Sequence, residues 1–217
     1  MQYYIANWKA NKSLEEATDW MKLFLKMDLS SLSSETKIII APPAPFLLPL
    51  KTLSHNQKII SFAVQDVSRY EKGNYTGELS AASLCGIAEY VIVGHAERRS
   101  LFHEDEKILQ AKVENAQKYG LTPIYCIRAD TDIVPRSVSI VSYEPLFAIG
   151  TGRNENPRQV LRIKQGLKLP DGTAFLYGGS VNRANASLYL ATNEISGFLI
   201  GAASLDPTAF YQTLTAH

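Results

Sequence analysis

Eight short apolar runs, most of them separated by stretches with helical periodicity, constrain the fold of this chain more than any other feature of its sequence. Runs that are apolar throughout, instead of alternating with polar residues, are typical of parallel strands covered on both faces. The predicted strands are Tyr3–Asn7, Lys37–Ala41, Ile59–Val64, Tyr90–Gly94, Thr122–Cys126, Val138–Tyr143, Ala174–Gly178 and Gly197–Gly201. Eight parallel strands that alternate with helices predict an α/β fold of the (β/α)8 barrel type.

Helical patterns follow most of these strands, and no linker or low-complexity segment interrupts the alternation. The predicted helices are Leu14–Met27, Pro45–Ser54, Ala81–Gly86, Glu104–Tyr119, Pro157–Lys168, Arg183–Ala191 and Pro207–Leu214. Ser13 and Glu16 have the spacing of a capping box, in which each side chain accepts a hydrogen bond from the other residue's backbone N–H. We therefore expect residues 1–217 to form a single barrel domain.

The crossover between the fifth and sixth strands breaks the pattern. Only residues 127–137 separate the two apolar runs; they have no helical periodicity, and Pro135 lies near their end. A parallel crossover normally takes about a dozen residues or more, usually including a helix. We therefore predict that the helix between strands five and six is missing, and we expect Ile133 and Val134 to fold back over the bare barrel wall.

Composition limits the classes of partner. With 22 basic and 21 acidic residues the net charge is +1, so the chain has no bulk attraction for nucleic acid or for an anionic membrane. Residues 1–9 lack the pattern of a signal peptide, and no apolar run is long enough to span a bilayer. Cys85 and Cys126 are interpreted as buried apolar residues, not as a disulfide, a metal pair or a nucleophile. These features predict a cytoplasmic protein without a metal.

Candidate functional residues lie at the carboxyl ends of the predicted strands, which share one rim of a barrel. Asn7 and Lys9 end the first strand, His95 follows the fourth and Glu144 follows the sixth, while glycine-containing segments end the last two. Each has an ordinary alternative: Lys9 as a solvated charge, His95 as a structural histidine, Glu144 as a surface carboxylate. Chance is a poor explanation once all of them fall on the same rim.

Together these groups suit one type of reaction. Glycines at the ends of the seventh and eighth strands let backbone N–H groups approach a phosphate closely, and Lys9 adds positive charge. His95 could donate a hydrogen bond to a carbonyl oxygen while Glu144 removes a proton from the neighbouring carbon. The loop after Glu144 could close over the site. The residues therefore indicate proton transfer next to the carbonyl of a small phosphorylated sugar.

The chain resembles the triosephosphate isomerase family over nearly its whole length. The resemblance rests on short motifs whose order and joint presence are specific. These motifs are Asn7-Trp8-Lys9, Ala41-Pro42-Pro43, Gly73–Glu78, Val91–Arg99, Tyr143–Gly152, Tyr177–Val181 and Gly197–Leu205. The resemblance implies a TIM barrel that interconverts dihydroxyacetone phosphate and D-glyceraldehyde 3-phosphate, in glycolysis and gluconeogenesis, without a cofactor.

The resemblance also implies a role for each site residue. Glu144 matches the catalytic base, His95 the electrophile and Lys9 the electrostatic lysine. A glutamate base beside a neutral histidine, under a closing loop, is the arrangement known from triosephosphate isomerase. Asn7 matches a substrate-binding residue, and Glu97 matches the acidic residue that supports the lysine. Backbone contacts to the phosphate match Gly150, Ser180, Gly201 and Ala202.

A lid and a dimer are implied in the same way. The implied lid comprises Pro145, Leu146, Phe147, Ala148, Ile149, Gly150, Thr151 and Gly152. Tyr75 and Thr76 lie on a loop that, in the family, reaches the neighbouring subunit near its Asn7 and Lys9, so a homodimer is implied.

Four departures from the family pattern leave every reacting group in place. Ala96 replaces the usual Ser, which removes one hydrogen-bond partner of the resting base. Phe147 replaces the lid Trp but keeps an aromatic anchor, and the methyl of Ala202 replaces a Gly hydrogen beside the phosphate. Arg128-Ala129 replace the usual Gly-Glu, next to the shortened crossover.

Two alternative functions stay open. A paralogous isomerase of another small sugar phosphate, such as a tetrulose phosphate, would carry nearly the same motifs. A barrel that has lost catalysis and serves as a binding protein is favoured slightly by the short crossover. The intact set of Lys9, His95 and Glu144 argues against it, because a scaffold has no physical need for all three.

Overall fold

The computed structural model describes residues 1–148 and 150–216, and its eight strands close into one parallel barrel. Each strand pairs with the next in chain order, and the last pairs with the first. The strands are β1 (Gln2–Asn7), β2 (Thr36–Ala41), β3 (Ile60–Val64), β4 (Tyr90–Val93), β5 (Thr122–Ile127), β6 (Ile140–Tyr143), β7 (Ala174–Tyr177) and β8 (Gly197–Ile200). The eight predicted strands and the barrel are confirmed, with strand ends shifted by one or two residues.

Helices surround the barrel. They are α1 (Leu14–Phe24), α2 (Leu47–Leu53), α3 (Ala96–Leu101), α4 (Glu106–Lys118), α5 (Pro157–Gly166), α6 (Ala186–Leu190) and α7 (Pro207–Leu214). The capping box of Ser13 and Glu16 is present at the start of α1, which satisfies backbone donors that a helix end leaves free. Within the described residues no helix has the length and apolar character needed to cross a bilayer.

Two of the sequence predictions for the segments outside the barrel are wrong. Residues 81–86 form no α-helix but a 3-10 helix, Ala81–Leu84, because the chain turns at Gly86 with φ +76°. Cys85, next to that turn, is exposed instead of buried. Helix α3 was not predicted, because the charged sequence of residues 96–101 has no apolar period.

The core has two layers. Side chains that point out of the barrel pack under the helices, with an aromatic group of Trp8, Trp20, Phe24 and Phe210 between β1, α1 and α7. Side chains that point inward fill the barrel itself. The inner layer comprises Ile5, Ile39, Ala41, Ala63, Ile92, Ile124, Cys126, Ile140, Leu176 and Leu199. The barrel is therefore a packed core, and ligands have access only at its ends.

The short crossover is covered without a helix. Residues 128–139, all of them described, contain no helix, which confirms that prediction. The hydroxyl of the buried Tyr125 lies 3.1 Å from Ile133 O and 3.1 Å from Glu106 Oε2, and it ties the crossover to α4. Val134 packs against the core as expected, but Ile133 is 68% exposed, so that half of the prediction is wrong. Ile133 contributes its carbonyl to Tyr125, and its side chain lies in solvent.

Candidate active site

A cavity of about 370 Å³ opens at the carboxyl ends of the strands. All of the residues predicted to react with or bind the substrate line it: Asn7, Lys9, His95, Glu144, Gly150, Ser180, Gly201 and Ala202. Glu97, predicted to support Lys9, reaches the site through that lysine. Residues far apart in sequence thus converge because parallel strands all end at the same rim.

Glu144 is the most deeply buried acid of the cavity, with 1% exposure. It directly follows β6, and its backbone N–H donates to Ile127 O, which extends the pairing with β5 by one residue. Its Oε2 accepts a hydrogen bond of 2.9 Å from Ala96 N, and its Oε1 lies 3.2 Å from His95 Nε2. Burial raises the pKa of Glu144, opposed by His95, the Ala96 N–H and Lys9. A buried carboxylate of raised pKa is a stronger base than a solvated one, which suits proton abstraction.

The protonation of His95 follows from its hydrogen bonds. Gly94, with φ +75°, turns the chain out of β4, and His95 then caps α3. The Glu97 N–H donates to His95 Nδ1 at 3.2 Å, so Nδ1 is the acceptor and carries no proton. In the neutral ring the proton is therefore on Nε2, which faces Glu144 and the cavity. His95 is thereby oriented as a hydrogen-bond donor toward a bound substrate.

Lys9 is held in an unusual backbone conformation, with φ +53°. Asn7 Oδ1 accepts from Lys9 N at 3.1 Å, and Gln65 Nε2 donates to Lys9 O at 2.8 Å, so both backbone groups are fixed. The ammonium lies 2.5 Å from Glu97 Oε1. Gln65 was missed in the sequence, where the available signal was a polar residue directly after the apolar run of β3.

The rim formed by β7 and β8 is built from residues with little or no side chain. A Cβ on Gly178 would lie 2.8 Å from both Glu144 Cγ and Ser142 Oγ, so only glycine fits beside the base. Gly201 lies over the stem of Lys9, and Ala202 begins a 3-10 helix at the cavity edge with its methyl exposed. These segments leave backbone N–H groups accessible to an anion near the Lys9 ammonium.

The lid segment is fastened to the loop after β7. Ser180 Oγ donates to Ala148 O at 2.6 Å and accepts from Gly152 N at 3.2 Å, while Tyr177 OH accepts from Glu155 N at 2.7 Å. Of the described lid residues Pro145 and Ala148 are buried, whereas Phe147 is 50% exposed, so the expected aromatic anchor is not buried in this conformation. The prediction for Ile149 lies outside the described residues.

The loop that carries Tyr75 and Thr76 projects from the barrel. Both residues are exposed, and the Tyr75 ring stacks on Tyr70 with centroids 4.0 Å apart and an interplanar angle of 5°. Asn115 and Lys118 of α4 bind the loop through Arg69 O and Glu71. The loop is therefore ordered by contacts within its own chain.

Comparison with known proteins identifies the family of the chain. The profile of the family described as triosephosphate isomerase matches residues 2–217. The chain belongs to the triosephosphate isomerase family. The predicted enzyme class, an isomerase of a phosphorylated triose, is confirmed with it.

Individual relatives agree over almost the full length. The chain is 33% identical to a triosephosphate isomerase of Alkalilimnicola ehrlichii, over 97% of this chain and 96% of the relative. It is 32% identical to one from Mesomycoplasma hyopneumoniae, over 97% of each chain, and 35% identical to one from Trichormus variabilis, over 94% of each. The chain thus aligns with these relatives over nearly their full length, even though its crossover between β5 and β6 is short.

Proposed function

We propose that Glu144 moves a proton between two adjacent carbons of a triose phosphate, and so interconverts D-glyceraldehyde 3-phosphate and dihydroxyacetone phosphate. The observation that carries the proposal is the position of its buried carboxylate, 3.2 Å from His95 Nε2 at the cavity wall. Glu144 takes the proton from the carbon next to the carbonyl, and the electron pair of that C–H bond forms the C=C bond of an enediol(ate). His95 Nε2–H donates to the oxygen that gains charge. A proton then passes from the hydroxyl on the neighbouring carbon to that oxygen, and return of the Glu144 proton to the neighbouring carbon forms the new carbonyl and completes the isomerisation, with no change in overall oxidation state.

Binding of the substrate phosphate supplies the free energy that closes the lid over the cavity. In this proposal the phosphate sits against the backbone N–H groups of Gly201, Ala202 and Ser180, with Gly150 brought in by the lid, and Lys9 balances its charge. Contacts to a group remote from the reacting carbons can be used to order the lid and to exclude water. Exclusion of water protects the enediol(ate), which would otherwise expel its phosphate.

The test is an isomerisation assay in deuterium oxide. We expect D-glyceraldehyde 3-phosphate made from dihydroxyacetone phosphate to carry deuterium next to the aldehyde, because the proton held by Glu144 can exchange with solvent. A product with no deuterium would mean that the transferred hydrogen never exchanges with solvent, as in a hydride shift, and would contradict the proposal. Rates on a tetrulose phosphate, measured in parallel, show whether the triose is the preferred substrate.

We further propose that two copies of the chain associate through the loop of Tyr75 and Thr76. Exposed apolar residues beside the loop support this surface: Leu101 is 69% and Phe102 62% exposed. The Phe102 ring lies against the guanidinium of Arg98, which is bonded to Asp66 at the base of the loop. The loop and the end of α3 therefore adjoin, and in the family resemblance this loop completes the partner's site near Asn7 and Lys9.

Thr76→Arg is expected to give monomers with about 100-fold lower kcat, because loss of the partner's loop displaces groups at the site. Sedimentation velocity and activity at several protein concentrations measure the two effects. Leu188→Arg, which places the same charge at an exposed position of α6, is the matched control and leaves both unchanged. A fully active monomeric Thr76→Arg variant would contradict the proposed dimer contact.

Location and domain organisation complete the proposal. We infer that residues 1–217 act as one barrel domain, since a single closed sheet contains every strand of the described part of the chain. A cytoplasmic location is inferred from the glycolytic role that the family implies.

A further inference from the structure

Ser142 is a buried hydroxyl without a hydrogen-bond partner. It lies on β6 with 0% exposure, between Cys126 of β5 and Leu176 of β7 in the strand register. Because side chains alternate along a strand, Ser142 shares the inward face with Ile140 and Glu144. A hydroxyl buried without a partner is unfavourable, so its position requires an explanation.

The candidate acceptor for the Ser142 hydroxyl is the carboxylate of Glu144, the proposed base. Ser142 Oγ and Glu144 Cγ each lie 2.8 Å from the point where a Cβ on Gly178 would be, so the two side chains are close neighbours. Glu144 Oε1 is also buried without a well-formed hydrogen bond, although it is near His95 Nε2. The unpartnered Ser142 hydroxyl therefore lies close to the side chain of Glu144, whose Oε1 also lacks a partner.

We propose that Ser142 is a positioning residue for the base, whose hydroxyl donates to the Glu144 carboxylate when that side chain leaves Ala96 N for the substrate. The inference rests on the proposed role of Glu144. Ala96 offers the carboxylate a backbone N–H but no hydroxyl, so a carboxylate that moves away from it loses its 2.9 Å hydrogen bond. Ser142 replaces that bond from the barrel interior, and the exchange keeps a buried charge paired throughout the movement.

The other polar groups around the carboxylate do not replace this bond. His95 is needed by the substrate oxygen, and the Lys9 ammonium is engaged by Glu97. The Cys126 thiol lies on the neighbouring strand and is a weak donor, whose pKa burial raises well above its usual value. Ser142 is thus the buried, unpartnered hydroxyl that β6 places on its inward face beside the base.

Ser142→Ala tests the inference. We expect kcat to fall about tenfold, the effect of one hydrogen bond to a charged group, with KM nearly unchanged. Loss of a donor to the ionised form raises the pKa of Glu144 in the substrate complex, so the acid limb of the kcat profile, which reports that complex, moves up by as much as about one pH unit. A structural role alone would move neither, because removing an unpartnered hydroxyl leaves the fold intact or more stable, as thermal unfolding would show.

Two further variants make the result specific. Adding Ala96→Ser to Ser142→Ala gives the resting carboxylate another hydroxyl but none after it has moved to the substrate, so we expect it not to restore the lost kcat. Ser61→Ala removes a buried serine from β3, on the inner face but farther from the rim, and should leave kcat and the pH profile unchanged.

Failure of this inference is distinguishable from failure of the proposed function. Unchanged kcat and pH profile in Ser142→Ala overturn the inference, as does a loss of kcat that shows no pH shift or that Ala96→Ser restores. If Glu144→Gln is nearly inactive in the same assay, the base assignment survives either result.

Discussion

Glu144→Gln should lower kcat by between about 10³- and 10⁴-fold, the contribution of a positioned general base. The amide has almost the same shape as the carboxylate but cannot accept the substrate proton. The carboxylate oxygens face two donors, Ala96 N–H and His95 Nε2–H, so an amide must turn its NH₂ toward one of them. Binding of glycerol 3-phosphate, which carries the phosphate but no carbonyl, should be retained, because the proposed backbone phosphate site does not involve the base. Steady-state kinetics and calorimetric titration measure the two quantities.

Glu155→Gln is the matched control for this loss. Glu155 lies next to the lid, but its backbone N–H and C=O, not its carboxylate, bond to Tyr177 and Tyr189. Its replacement should leave kcat within about twofold, since surface substitutions have small effects. A Glu144→Gln enzyme within tenfold of the original rate would remove Glu144 from the role of base.

The barrel was predictable because its strands are apolar throughout and the parallel arrangement fixes where their ends meet. Lys9, His95 and Glu144 could be placed together on that ground alone, although long stretches of sequence separate them. The missing helix was predictable from the length and proline content of residues 127–137. These inferences depend on the spacing of apolar residues, the length of the connecting segments and the order of the strands, all of which can be read directly from the sequence.

The contacts that refine the site were not predictable in the same way. The bond from Ala96 N to Glu144 Oε2 joins residues that follow different strands, β4 and β6, and its geometry depends on the turn at Gly94. Helix α3 is short and charged, so no apolar period marks it. Ser142 has no distinguishing signal, because a serine within an apolar strand is ordinarily a tolerated core residue. Only the barrel geometry shows that its hydroxyl lies beside the base.

Removal of the Lys9 ammonium should have the second largest effect. Lys9→Met keeps the length of the side chain, and kcat/KM is expected to fall by between about 10²- and 10³-fold, the scale found for loss of one group that stabilises developing charge. The ammonium is only partly exposed and lies 2.5 Å from Glu97 Oε1, at the edge of the cavity that takes a dianionic phosphate and an enediol(ate). Without the ammonium, the negative charges of the phosphate and the enediol(ate) have no positive side chain beside them. Binding of glycerol 3-phosphate should therefore weaken as well, unlike in Glu144→Gln.

Lys12→Met separates this effect from a general loss of positive charge. Lys12 is also a lysine of positive φ, at +74°, but its ammonium donates to Leu205 O at 2.7 Å and lies over the Trp8 ring. Its loss should leave kcat/KM within a few fold. The backbone of Lys9 is held independently by Asn7 and Gln65, so Lys9→Met should keep its thermal unfolding temperature. A folded Lys9→Met enzyme with less than a tenfold loss in kcat/KM would mean that backbone N–H groups alone balance the substrate charge.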